Sequence, residues 1–133
     1  MSNANVTLVQ SLYAAFARGD IETIIRAMAP DIKWRVEGRR KDYPTLGDFD
    51  GPAQVKGFFA SVAQLQDATD FSPRDFFATG DRVFVLGHYA WKLKKTGKTV
   101  DAHFAHVFMI KNGKVSTFNE FTDTAQFAEA YRG

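Results

Sequence analysis

Apolar residues keep a helical spacing through the first half of this chain and a strand spacing through the second. Val9, Leu12, Tyr13 and Phe16 recur at i, i+3, i+4 and i+7 within residues 5–18, one face of a helix. Gly19 stops that helix and Asp20 caps the next, where Ile21, Ile24, Ile25 and Met28 repeat the stripe until Pro30 ends it. Ile32, Trp34 and Val36 alternate with Lys33, Arg35 and Glu37, which predicts a short strand apolar on one face. Residues 38–51 read as a loop carrying Tyr43-Pro44 and Gly47. Pro52 suits a first helical turn, and Val55, Phe58, Phe59, Val62 and Leu65 give a third helix.

After Asp70 the period becomes two. Residues 71–78 predict a strand, Gly80-Asp81 a turn, and 82–93 a long strand. The first half of that long strand is apolar on both faces, so it is expected to be covered on both sides. Thr96-Gly97 turns the chain into a strand over 99–110, and Lys111-Asn112-Gly113 turns it into the last strand, 115–122. Asp123 caps a short helix over 124–131. The order predicts an α+β fold with a curved, mainly antiparallel sheet. No repeat or linker divides residues 1–133, so a single domain is expected.

Composition sharpens this picture in two ways. The chain has 13 Phe, 4 Tyr and 2 Trp, enough that several are expected to line a cavity or an interface. It has no Cys, which excludes disulfides, thiolate chemistry and Cys-based metal sites. A formal charge of +2 points to no nucleic-acid partner. Arg39-Arg40-Lys41 and Lys92, Lys94, Lys95 and Lys98 read as solvated loop and turn charges. The start lacks a signal pattern, and no apolar run approaches the ~20 residues of a membrane span, so a cytoplasmic protein with no membrane partner is expected. No phosphate loop, nucleophile elbow or dinucleotide fingerprint occurs, and no cofactor is expected.

Several strings resemble the SnoaL-like, ketosteroid-isomerase-related branch of the nuclear transport factor 2-like superfamily. They are Leu12-Tyr13-Ala14-Ala15-Phe16 with Gly19-Asp20-Ile21, Asp31-Ile32-Lys33-Trp34, and Thr79-Gly80-Asp81-Arg82-Val83. The stretch from Thr96-Gly97-Lys98 through His106-Val107-Phe108 and Asn112-Gly113-Lys114-Val115 to Asp123-Thr124-Ala125 carries most of the resemblance. It implies a cone, in which helices pack into the concave side of a bent sheet and a ligand enters at the open end. It does not choose among the isomerases, dehydratases, epoxide hydrolases, cyclases and binding proteins of that superfamily.

Strand alternation assigns the inward side chains. A three-residue loop at Lys111-Asn112-Gly113 places His106 opposite Phe118, Phe104 opposite Glu120, and Ala102 opposite Thr122; a two-residue turn would pair His106 with Asn119. The three-residue register matches the resemblance and is preferred. The wall then comprises Phe104, His106 and Phe108 with Phe118, Glu120 and Thr122. Tyr89 and Trp91 join from the neighbouring strand, Trp34 and Val36 from the first, Tyr13 and Phe16 from the first helix, and Phe58 or Phe59 from the third. Tyr43 is a further candidate donor to a ligand oxygen. His106 and Glu120, diagonal neighbours roughly 6 Å apart at Cβ, are the candidate acid/base and its orienting carboxylate. Asp101 and His103 point to the opposite face, so no metal site is expected.

The resemblance also excludes one mechanism. The positions aligned with the carboxylate base, the oxyanion acid and the tyrosine of ketosteroid isomerase hold Val36, His106 and Leu12, so none of its three groups is retained. Three readings stay open: a cofactor-free acid–base enzyme acting on a small hydrophobic substrate, a binding protein for an apolar metabolite, or an association module. Val107, Met109, Val115 and Phe121, assigned to the outer sheet face, suit a homodimer under each.

Overall fold

The computed structural model describes residues 2–133. Helix α1 (Ser2–Ala17) ends at Gly19, whose φ of +74° makes the left-handed turn that L side chains resist. Asp20 caps α2 (Ile21–Arg26), its carboxylate accepting the Thr23 amide at 3.2 Å. This helix stops two residues earlier than its apolar stripe suggests. Met28 already belongs to strand β1 (Met28–Val36), and Pro30 lies inside the strand instead of ending the helix. Proline offers no amide to a ladder, and the pairing of β1 with its neighbour is irregular between Met28 and Lys33.

Strand β2 (Gly47–Asp50), expected as loop, pairs antiparallel with β1 and sets Phe49 beside Trp34. Four residues are too few for alternation to show. Helix α3 (Gly51–Leu65) follows and buries Val55, Phe58 and Val62. Strand β3 (Gln66–Thr79) begins directly after it, five residues before the expected start. Irregularities between Ala68 and Asp70 and between Pro73 and Asp75 break its alternation. Strands β4 (Arg82–Leu93), β5 (Thr99–Lys111) and β6 (Lys114–Thr122) complete a meander, and Asp123 caps α4 (Thr124–Arg132).

The six strands form one curved, unclosed sheet in the order β2-β1-β6-β5-β4-β3, with β1 parallel to β6 and every other pair antiparallel. Helix α1 packs against β3 and β4, and α3 against β1 and β2. The core lies between these helices and the sheet, from Val9 and Leu12 through Trp34 and Val55 to Val85, Phe108 and Phe118.

The β5–β6 register corrects the expected one. Asn112 and Gly113 both have positive φ, 53° and 73°, and form a two-residue turn between Lys111 and Lys114. The bulge comes later: Ile110 pairs with Val115 and Met109 with Thr117, leaving Ser116 as the extra residue. Beyond it His106 faces Glu120 directly, Phe104 faces Thr122, and Phe108 faces Phe118. The shift from the expected pairing is two residues, so His106 and Glu120 keep their inward face. Val115 lies before the bulge and points into the core with no exposed surface, not outward as expected.

The outer face carries Val107 and Met109 half-buried and Phe121 48% exposed. Leu86, Ala105 and Phe121 lie in one row across β4, β5 and β6.

Gly87 sits on β4 opposite Phe104. A Cβ there would lie 2.5 Å from Phe104 Cζ and 2.6 Å from the Ser72 carbonyl oxygen. Gly87→Ala is therefore expected to lower stability by about 1–3 kcal/mol through overpacking. Urea unfolding with an unchanged slope would measure it.

Candidate functional site

The concave face and its helices form a cavity rich in aromatic side chains and open at its mouth. Tyr13 and Phe16 enter from α1, Phe58 and Phe59 from α3, Trp34 and Val36 from β1, Tyr89 and Trp91 from β4, His106 and Phe108 from β5, and Phe118 and Glu120 from β6. The walls are close: Trp34 and Phe118 stack with centroids 3.8 Å apart. Three expected wall residues lie elsewhere. Tyr43 is fully buried behind the wall, packed on Phe127 and Tyr131, with its hydroxyl on Gln66 Oε1 at 2.6 Å. Phe104 fills the space over Gly87 and stacks beneath the His106 ring at 4.2 Å. Thr122 turns its hydroxyl to the His103 carbonyl.

Sequence reasoning missed Phe71, Gln66, Thr45 and Phe127, which also line the cavity. Phe71 stood at the start of an expected strand with no assigned face. Gln66 lay in a stretch whose alternation the bulges conceal. The lone signal for Phe127 was its place on the α4 stripe.

The polar groups form one hydrogen-bonded chain. Tyr13 Oη lies 2.6 Å from His106 Nδ1, His106 Nε2 lies 3.1 Å from Glu120 Oε1, and Tyr89 donates to Glu120 Oε2 at 2.6 Å. His106 is 5% exposed and the Glu120 side chain 13%. Both imidazole nitrogens are thus engaged, one by Glu120 as expected and the other by Tyr13. An ionised carboxylate only accepts, so opposite an ionised Glu120 Nε2 carries a proton. In the neutral ring Nδ1 is then bare and accepts the Tyr13 hydroxyl. Tyr13 is the outer end of the chain and keeps lone pairs for a ligand.

Among the described residues, no lysine or arginine lines the cavity. The indole nitrogens of Trp34 and Trp91 are buried with no partner among the described residues. Each such group is unfavourable by about 1–3 kcal/mol. Asp101 and His103 project from the outer face, where His88 bridges Asp70 and Asp101 at 2.7 and 2.6 Å and is held protonated to higher pH first by Asp101, then by Asp70. His103 stands 5.3 Å from His88, ring to ring, with the sheet between it and His106.

The fold is that of the nuclear transport factor 2-like superfamily. Within it, the chain belongs to the SnoaL-like domain family, which residues 9–118 match. An uncharacterised protein of Mycobacterium tuberculosis strain H37Rv is 26% identical over 119 residues, covering 90% of this chain and 88% of that protein. The crystal structure of an NTF2-like protein from Burkholderia xenovorans LB400 is similar with a TM-score of 0.89 and 27% identity, over 98% of this chain and 97% of that one. The crystal structure of TerC, co-crystallized with polyporic acid, is similar with a TM-score of 0.83 and 29% identity, over 98% and 99%. No helix among the described residues is long and apolar enough to cross a membrane.

Burial, and after it the Glu120 charge, pushes the Tyr13 and Tyr89 hydroxyls well above the usual 10.0. Burial raises Tyr43 too, with Tyr131 adding to the shift. A raised folded pKa means that the unfolded chain loses these protons first. Stability is therefore fully present below about pH 10 and falls as pH rises beyond it. Phenolate absorbance should show Tyr13, Tyr43 and Tyr89 ionising together with unfolding, whereas in denaturant all four tyrosines titrate normally.

Proposed function

We propose that this protein takes a flat, largely apolar small molecule into the cone and moves a proton on it without a cofactor. The reaction class is isomerase- or lyase-like acid–base chemistry. The observation that carries this reading is the Tyr13–His106–Glu120–Tyr89 chain in the wall of an otherwise largely apolar cavity. Tyr13 is the group that meets the ligand. His106 is a positioning and proton-storing residue, and Glu120 holds its tautomer. A proton leaving a ligand carbon passes to Tyr13 Oη as the Tyr13 proton moves to His106 Nδ1. The carbon keeps the electron pair as an enolate, and the reverse steps return the proton at the same or a conjugated carbon. General acid–base help of this kind supplies about 10²–10⁴-fold. The similarity to TerC, whose crystals hold polyporic acid, supports a small organic occupant.

The test uses 2-tetralone, a flat ketone with exchangeable α-protons. The chain's two tryptophans, Trp34 and Trp91, both line the cavity, so entry should change their fluorescence. The protein is expected to speed deuterium exchange at the α-carbons, and Tyr13→Phe to lower that rate 10²–10⁴-fold. Quenching without exchange would leave the second reading, a binding protein without turnover.

Two copies are further proposed to associate through the outer sheet face. The support is the exposed row of Leu86 and Phe121 across β4–β6 beside Val107 and Met109. Sedimentation equilibrium should give a dimer for the native chain and a monomer for Leu86→Glu combined with Phe121→Glu. A native monomer would end the proposal.

A further inference from the structure

We infer that the cavity's ligand is a planar weak O–H acid, a phenol or an enol conjugated to a carbonyl, bound as its anion with one proton held by His106. This rests on the reading of the cavity as a ligand site and names what that site selects.

In the resting chain Glu120 receives Tyr89 on one oxygen and His106 on the other. With Glu120 ionised and the ring neutral, Nε2 donates, Nδ1 accepts, and the Tyr13 proton is committed to the ring. The pocket end of the chain then offers lone pairs and no hydrogen. Beside Tyr13 a ketone or ester oxygen finds no donor unless a 2.6 Å hydrogen bond breaks first, and the buried unpartnered donors among the described lining residues are the indole N–H groups of Trp34 and Trp91. A ligand hydroxyl meets the opposite condition, because it donates to Tyr13 Oη and leaves the chain intact.

From that starting arrangement one concerted shift satisfies every group. The ligand O–H bond breaks and its oxygen keeps the electron pair. The proton bonds to Tyr13 Oη while the former Tyr13 proton bonds to Nδ1. The ligand oxyanion now accepts from Tyr13, and the imidazolium donates to Tyr13 on one side and to Glu120 on the other. Tyr13 conducts the proton and does not hold a charge, since burial and Glu120 oppose its ionisation.

Charge leads to the same ligand class. A buried anion needs a cation. Among cavity-lining residues the ionisable groups are Tyr13 from α1, Tyr89 from β4, His106 from β5 and Glu120 from β6; α2, α3, β1, β3 and α4 contribute none. His106 is the one group there that can become positive. An anionic ligand without the added proton would face the Glu120 carboxylate with nothing to offset it.

Calorimetry with 2-hydroxy-1,4-naphthoquinone, which is ionised at neutral pH, tests this against 1,4-naphthoquinone, the same ring without the acid. The chain has no cysteine to capture either quinone. The hydroxyquinone should bind with an enthalpy that varies linearly with the buffer's ionisation enthalpy, with a slope of about one proton, and about tenfold more weakly for each unit of rising pH. 1,4-Naphthoquinone should bind more weakly and show no buffer dependence. His106→Gln should abolish the slope and weaken only the hydroxyquinone, by at least tenfold. If that variant does not fold by circular dichroism, the buffer series on the native protein decides alone. Hydroxyquinone binding with zero slope, or no preference over 1,4-naphthoquinone, overturns the inference and leaves the cavity reading standing. If neither quinone binds nor changes tryptophan fluorescence, the cavity reading falls and the inference with it.

Discussion

His106 and Glu120 face each other because one extra residue, Ser116, sits in β6 between the turn and the site. The tight Asn112-Gly113 turn by itself would carry its pairing outward unchanged and set His106 against Asn119. Side chains alternate with a period of two, so that register would turn Glu120 to the outer face and Asn119 inward. The bulge moves the rest of β6 by one position. It lets Val115 fill the core on one side of Ser116 while Phe118 and Glu120 line the cone on the other. The parallel ladder extends the same placement to β1, where Val36 sits beside Glu120 and the Glu37 amide bonds the Glu120 carbonyl at 3.0 Å.

A carboxylate and an imidazole inside an aromatic cone require partners, since a buried charge left unpaired is strongly unfavourable. Tyr13 and Tyr89 supply them, arriving from α1 and β4. Packing then removes other conformations. Phe104 lies under the His106 ring at 4.2 Å and can do so because Gly87 has no side chain in that space. The ring cannot tilt without disturbing Phe104, and Phe104 cannot move without disturbing Phe71 and Tyr89, at 5.6 and 5.0 Å. The site is held by shape as much as by hydrogen bonds.

Much of this frame is legible in the sequence, and the failures have physical causes. The helical stripes and the caps at Asp20 and Asp123 are local, and they appear where their spacing places them. His106, Phe108, Phe118 and Glu120 keep their expected place in the wall despite an incorrect register, because the error is two residues, which preserves parity. Val115 does not survive, since it lies on the turn side of the bulge, and nothing local marks Ser116. Tyr43 follows a basic run and precedes a proline, the pattern of a surface turn, yet it is sealed beneath Phe127 and Tyr131. The engagement of both His106 nitrogens was invisible for a different reason: Tyr13 is 93 residues away, on a helix whose approach to the sheet no spacing rule specifies.

The superfamily resemblance placed a carboxylate base at the position Val36 occupies, and its absence there argued against steroid-type isomerisation. The structure sets the cavity's carboxylate, Glu120, beside Val36 in register on the next strand. Its situation differs in kind from that of a free base. Both oxygens are hydrogen-bonded, one with Tyr89 and one with His106, so Glu120 is held by its neighbours in the wall. The carboxylate instead acts through the ring, fixing its tautomer and making the imidazolium tolerable when it forms. In the proposed reaction, basicity is carried from Glu120 to the Tyr13 oxygen, about two hydrogen bonds away. An apolar cone can keep a charged group only if that group is fully bonded, and a fully bonded group can do chemistry only through its neighbours.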